Sequence, residues 1–310
     1  MVEMLYQRDV YGQTLVELGK TNKDIVVLDA DLSSSTRTGI FAKAFPERFF
    51  NLGVAEQNMM ATAAGLASCG KTVFVSTFAI FATGRAWDQV RNSVAYNNFN
   101  IKIVATHAGV SVGPDGASHQ ALEDIALMRV IPNMQIIAPC DGPQTKEAVV
   151  AAFNTKGPFY IRLGRPKVPT IEKAAGFKLG QAQVLQAGKD VAVIACGIMV
   201  NEALIAAEGL AKKGVHPKVI NMHTIRPIDK EAILKVARET RGIVVCEEHT
   251  VIGGLASSVQ EVVAEAHPTK VICLGIKNRF GQSGEPAELL KEYHLTSGDI
   301  EKAVLSIVNP

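Results

Sequence analysis

The sequence lacks any CxxC pair or zinc-ligand spacing; its five cysteines, Cys69, Cys140, Cys196, Cys246 and Cys273, are scattered and odd in number. That argues against a disulfide framework or a zinc site and for reduced thiols in a cytoplasm, mostly as small core residues. Long apolar runs are also missing. Stretches such as DVAVIACGI are of strand length and far short of a membrane span. Charge is nearly balanced, with 32 Lys and Arg against 30 Asp and Glu, so neither nucleic acid nor an anionic membrane is expected as the main partner. The opening MVEMLYQRDVYGQTLVELGK carries both charge signs and lacks the basic start and apolar centre of a signal peptide. No short-period repeat and no low-complexity tract interrupts the chain.

What is present is a chain of 310 residues, 47% apolar and 20% charged, as expected of a soluble globular protein with two ordinary domains. Apolar, β-rich runs occur at DIVVLDA, TVFVST, IKIVATHAG, QIIAPC and FYIRLG. Helix-like segments lie between them, at Asp9–Lys20, Gln57–Cys69, Gly84–Tyr96, His119–Met128 and Gly142–Phe153. Continuous apolar strands separated by helices predict a parallel sheet covered on both faces. The looser stretch GRPKVPTIEKAAGFKLG breaks the pattern. Domains are therefore expected at 1–170 and 181–310, joined by a linker at 171–180. The second domain is a smaller α/β layer, with strands at DVAVIACG, PKVINMHT, GIVVCEE and KVICLGI.

Ligands of such folds bind beyond the carboxyl ends of the strands. Four loops there concentrate glycine and polar residues. In NLGVAEQNMM a single acid, Glu56, stands beside Val54, Met59 and Met60. It either favours the positive end of a helix dipole or is a shielded carboxyl group suited to sharing a proton with a ligand nitrogen. THAGVSVGPDGASHQ places His107, Asp115 and His119 in a glycine-rich loop directly after a strand, a pattern suited to hydroxyls or phosphate. The serines and threonines of DADLSSSTRTG either cap the next helix or donate to phosphate. Phe78 and Phe81, three apart, suit a core or an aromatic platform. Arg162, ending FYIRLG, is either a solvated base or a phosphate partner. In the second domain, the Gly-Gly of CEEHTVIGGLASS reads better as a close helix–sheet turn than as an anion site.

Taken together, DADLSSST, LGVAEQNM, STFAIF, THAGVSVGPDGASHQ and YIRLGRP resemble the transketolase family of thiamine-diphosphate enzymes, in order and in spacing. The resemblance covers essentially the whole chain and corresponds to the C-terminal half of a typical transketolase. It implies a thiamine-diphosphate-binding, pyrimidine-type parallel-sheet domain followed by the transketolase C-terminal α/β domain. It also implies transfer of a two-carbon ketol unit from a ketose phosphate, such as xylulose 5-phosphate, to an aldose phosphate. By this resemblance Glu56 meets the ring nitrogen of the cofactor's aminopyrimidine and favours its imino tautomer, which takes the proton of the thiazolium carbon. Held protonated in apolar surroundings, the carboxyl group is the protein's contribution; the cofactor supplies the carbanion chemistry. Phe81, backed by Phe78, matches the stacking aromatic, and Asp31 and Leu32 line the cofactor. Arg8, Ser35, His107 and Arg162 match the grip on the sugar phosphate. Asp115 and His119 match the contacts to donor hydroxyls, so that Glu56, His107 and His119 are the catalytic candidates.

The chain departs from the family in three places. The tyrosine after the two phenylalanines is Gly84, and Ala117-Ser118 replaces the commoner Pro-Thr. The Gly-Asp-Gly motif that holds the diphosphate through Mg2+ is missing, PDGAS and CDGPQ lying in the wrong contexts. The implied partner is therefore an N-terminal transketolase subunit that binds diphosphate and Mg2+, in a two-plus-two heterotetramer with sites between unlike chains. Three alternatives remain at this level: the β subunit of a 2-oxoacid dehydrogenase, a 1-deoxyxylulose-5-phosphate synthase, and a catalytically silent structural partner. His107 and GPDGASHQ favour a polyol phosphate over the first two.

Overall fold

The computed structural model describes residues 3–309. Met1, Val2 and Pro310, at the outer ends of the two expected domains, lie outside it. β-Branched runs build the strands, because side chains buried on both faces must be apolar and stiff. Ile25–Asp29 and Ile101–Ala105 are buried at every position.

Seven strands form the first sheet, in the order Thr224–Arg226, Gln135–Ile137, Phe159–Arg162, Ile101–Ala105, Thr72–Ser76, Ile25–Asp29 and Phe49–Asn51. Six run parallel; Thr224–Arg226 is antiparallel to Gln135–Ile137. The second sheet has the order Val271–Ile276, Ile243–Thr250, Ala192–Ala195, Lys218–Asn221 and Gln183–Gln186, with only the last strand antiparallel. The expected strand PKVINMHT thus divides: Lys218–Asn221 stays in the second sheet, and the chain then crosses to add Thr224–Arg226 to the edge of the first. This crossing joins the two halves covalently and through a shared sheet.

The longer helices of the first domain lie where the apolar period placed them, including Gln7–Thr21, Glu56–Ser68 and Gly142–Asn154. Asp141 caps Gly142–Asn154 by accepting the Gln144 N–H at 2.8 Å. Two expected helices differ. The segment expected at Gly84–Tyr96 winds mostly as π-helical turns at Phe81–Arg85 and Val90–Ala95. That expected at His119–Met128 is helical only over Asp124–Arg129, because Ala121 bridges back to Ala108 and holds the preceding residues in the loop. Among the described residues no helix is long and apolar enough to cross a membrane.

Candidate active site

Parallel neighbours put the carboxyl ends of Ile25–Asp29, Thr72–Ser76, Ile101–Ala105 and Phe159–Arg162 on one rim. In the first loop, buried Asp29 accepts from Leu32 N at 2.6 Å and from the Thr36 and Thr38 hydroxyls at 2.7 and 2.8 Å. Burial raises its pKa against the pull of these bonds. Thr36 and Thr38 are thereby committed to the loop itself. Asp31, at φ 64°, exchanges two hydrogen bonds with Asn51, which stitches this loop to the one before Glu56. Leu32 and Ser35 are half-buried on the same loop.

Glu56 opens its helix and is 1% exposed, with Met59 and Met60 buried beneath it. The apolar wall expected around it is only partly present. Val54 is 71% exposed and contributes nothing to it, and Arg85 Nη1 donates to Glu56 Oε2 at 2.8 Å. The other oxygen, Oε1, is buried and has no hydrogen-bond partner among the described residues. The Arg85 guanidinium lies 4.6 Å over the half-buried Phe81 ring. The space around Gly84 itself is open. Sequence reasoning overlooked Arg85; its signal was a lone cation in STFAIFATGR, one turn from the aromatic pair.

Phe78 and Phe81 stack at 6.0 Å, and Phe78 stacks on His107 at 3.8 Å. His119 meets Phe81 edge-on at 5.4 Å. Arg8 approaches His107 Nε2 at 3.5 Å and donates to the Ser35 carbonyl at 3.3 Å. A guanidinium can only donate, so Nε2 accepts and Nδ1 bears the proton that goes to Thr106 Oγ1 at 2.7 Å. Burial first, then Arg8, Arg165 and His119, hold the His107 pKa down at about 3. His107 is thus a neutral imidazole that orients Arg8, and it is poorly suited to proton transfer near neutrality. His119, half-exposed with Nδ1 3.0 Å from the Ser118 hydroxyl, is the accessible imidazole.

Arg162 requires a correction. It does not face the rim: its strand turns it inward, where Nε donates to Asp124 Oδ2 at 2.7 Å and Nη2 to the Glu248 carbonyl at 2.8 Å. A guanidinium committed to a buried carboxylate cannot also clasp a substrate phosphate. Arg165, three residues on and past the strand end, is half-buried at the surface instead. With Tyr6, Arg8, Ser111, Glu285 and Pro286 it lines a pocket of about 280 Å³, and it faces Asp115 at 3.8 Å. The signal was in the quoted motif YIRLGRP, which holds both arginines.

In the second domain, Glu247 accepts from Leu255 N and Ala256 N at 2.7 and 2.8 Å. The helix start after Gly253-Gly254 is therefore occupied by the chain's own carboxylate, and the close-turn reading holds. A Cβ on Gly254 would collide with Glu247 and His249.

One array thus runs from Glu56 through Arg85, Phe81, Phe78 and His107 to Arg8 and Ser35. Glu56 Oε1 is an unsatisfied buried oxygen, and Arg85 links its carboxyl group to the Phe81 ring, so an acceptor and an aromatic face share one end of the array. Residues 3–170 match the model of the transketolase pyrimidine-binding domain, and 180–300 that of the transketolase C-terminal domain. A putative transketolase C-terminal section from Methanocaldococcus jannaschii is 50% identical over 302 residues, 96% of this chain and 95% of that protein. Human transketolase is 42% identical over 97% of this chain, which spans only 49% of the human protein. A solved split-gene transketolase, an inactive β4 tetramer, superposes with a TM-score of 0.91 at 50% identity, covering 98% of each chain. The chain belongs to the transketolase family of thiamine-dependent ketol-transferring enzymes, as the counterpart of their pyrimidine-binding and C-terminal domains.

Proposed function

We propose that this chain is the subunit that supplies the pyrimidine half of a thiamine-diphosphate site in a two-chain transketolase. The donor is a ketose phosphate such as xylulose 5-phosphate and the acceptor an aldose phosphate, as in cytoplasmic pentose phosphate metabolism. An N-terminal partner binds the diphosphate and Mg2+, and the chains assemble two plus two. The observation that carries this reading is the buried carboxyl group of Glu56, with one oxygen unsatisfied, beside Phe81 on the rim that also bears Arg8 and Arg165. Absence of a Gly-Asp-Gly motif and the half-length match to human transketolase support the need for a partner.

When bound, thiamine diphosphate supplies a nucleophilic carbon and an electron sink. The chain's own residues do the rest. Glu56 Oε1 would share a proton with the pyrimidine nitrogen, in surroundings buried enough to keep that bond directional. Phe81 offers the stacking face, and Asp31 and Leu32 close the adjoining loop. Arg85 must leave either Glu56 or the Phe81 face for a ring to enter between them. Arg8 and Arg165 supply two guanidinium groups to the phosphate, with His107 and the Ser35 carbonyl fixing Arg8. Asp115 and His119 reach the donor hydroxyls, and His119 is the group placed to move protons there.

Mixing the chain with the partner, thiamine diphosphate and Mg2+ tests the assignment. Turnover of xylulose 5-phosphate is expected only with both chains. Preference for pyruvate as donor, or full turnover by this chain alone, would refute it.

A further inference from the structure

We propose that the second domain positions the substrate loop of the first, with Glu248 as the positioning residue; the link to substrate rests on the reading above. The loop between Ala105 and Asp124 closes on itself through the Gly109 N–H, which donates to the Ala121 carbonyl at 2.9 Å, but the Ser111 N–H at its middle finds its acceptor in the second domain. His107, Gly109, Gly113 and Gly116 all have positive φ, at 60°, 84°, 87° and 73°, and the regular piece among them is the single turn Val110–Val112.

The second domain supports the loop at several points, among them the Thr250 N–H, which donates to the Leu122 carbonyl at 2.8 Å near the loop's end. Glu248, on strand Ile243–Thr250, is 3% exposed, and its Oε1 accepts the Ser111 N–H at 2.5 Å. Its carboxyl group fills the space above Gly109, where any Cβ would collide with it. Gln120 makes another support, with Nε2 donating to the Val110 carbonyl at 3.0 Å and to the Gln282 carbonyl of the second domain at 2.9 Å.

A buried carboxyl group is a costly way to fill a gap that leucine or methionine would fill without desolvation. What it adds is an oxygen that accepts a hydrogen bond from one buried backbone N–H. The other end of this support is also fixed. Arg162 donates to the Glu248 carbonyl while paired with Asp124, the residue at which the loop ends. A closed circuit therefore runs from Asp124 through Arg162 and Glu248 to Ser111, the middle of the loop. Ser111 in turn lines the pocket that holds Arg8 and Arg165. Releasing Glu248 lets Ser111 move and blurs the pocket wall.

The test has two arms. In the full chain, amide hydrogen exchange of peptides covering residues 107–120 is compared for wild type, Glu248→Met and Glu248→Gln. Methionine keeps the volume and cannot accept the bond; glutamine keeps an accepting oxygen. Exchange at least tenfold faster in the methionine variant, confined to this stretch, with glutamine within threefold of wild type, is expected. Equal protection in both variants overturns the positioning role, whatever reaction the enzyme performs. In the two-chain enzyme, Glu248→Met is expected to raise KM for the phosphorylated ketose about tenfold or more, with kcat within threefold and glutamine restoring KM. A loosened loop with unchanged KM overturns the link to substrate. Absence of turnover in the wild-type complex would sink the transketolase reading, and the exchange arm would still decide the support.

Discussion

Replacing Arg162 with methionine tests the buried charge cluster that ties the two domains to the rim. The guanidinium reaches Asp124 Oδ2 at 2.7 Å and Oδ1 at 3.3 Å, the Ala121 carbonyl at 3.3 Å and the Glu248 carbonyl at 2.8 Å. Methionine retains the packing of the stem and leaves Asp124 buried, with the Tyr160 hydroxyl at 2.7 Å as its remaining close donor. Removing one partner of a buried ion pair costs about 3–5 kcal/mol. The pH dependence follows from the signs. Burial pushes the Asp124 pKa up, but Arg162, His249 and the hydrogen bonds from Arg162 and Tyr160 together outweigh it, and the folded value lies below the ordinary carboxylate value. That stabilisation is present above the unfolded pKa and is lost as pH falls through the folded one. Without Arg162, burial dominates, the folded pKa rises above the unfolded value, and the variant regains stability as pH falls. Glu248, which burial has already raised to about 7, loses the same opposing cation and moves in the same direction. The loss is therefore largest near pH 8 and shrinks toward pH 5. Urea unfolding can be followed by Trp87, the single tryptophan, whose indole donates to the Leu127 carbonyl on the helix that Asp124 begins. A loss below about 1 kcal/mol, or one equal at pH 5 and pH 8, would refute the buried pair. A stable variant that had lost only phosphorylated donors would return Arg162 to the substrate.

Other substitutions separate the remaining roles. Arg165→Ala is expected to raise KM for a phosphorylated donor by about tenfold to a hundredfold, the worth of a charged hydrogen bond, while leaving hydroxypyruvate nearly unchanged. Equal effects on both donors would remove Arg165 from the phosphate pocket. Glu56→Gln should abolish exchange of the cofactor's C2 proton in the two-chain enzyme while circular dichroism and melting stay near wild type; exchange at the wild-type rate contradicts its role. Gly109→Ala combines a φ of 84° with a Cβ that would strike the Glu248 carboxyl group, so it should destabilise the chain by more than about 1 kcal/mol. In Glu248→Ala, which removes the obstacle, the same change should cost measurably less; identical costs in the two backgrounds would deny the contact.

The alternating strands and helices and the rim of loops were legible in the sequence because they follow from local pattern, whereas Glu56, Phe81, His107 and Arg8 took their expected roles from the resemblance to family motifs. Buried parallel strands must be continuous runs of apolar residues, and glycine and polar residues collect where those runs end. The family motifs then gave the loops their chemistry. Arg162 was misread because a basic residue at a strand end looks the same in sequence whether it faces solvent or a buried acid. Its partner Asp124 is 38 residues away, so only the closed fold brings them together. Arg85 was missed for a similar reason: a π-helical turn lays its guanidinium over Phe81 and onto Glu56, and no spacing rule for α-helices anticipates that.

The sequence by itself therefore determined the layers of the fold, the order of the loops and the identity of the acid at position 56. Only the tertiary structure decided which of two nearby arginines lines the pocket beside Arg8 and which is sealed against Asp124. It alone also placed a carboxyl group of the second domain on the Ser111 N–H of the first domain's loop. The physical reason is that burial and ion pairing depend on partners far apart in the chain. A side chain's chemistry is written in its own residue, but its availability is set by whatever the fold packs against it.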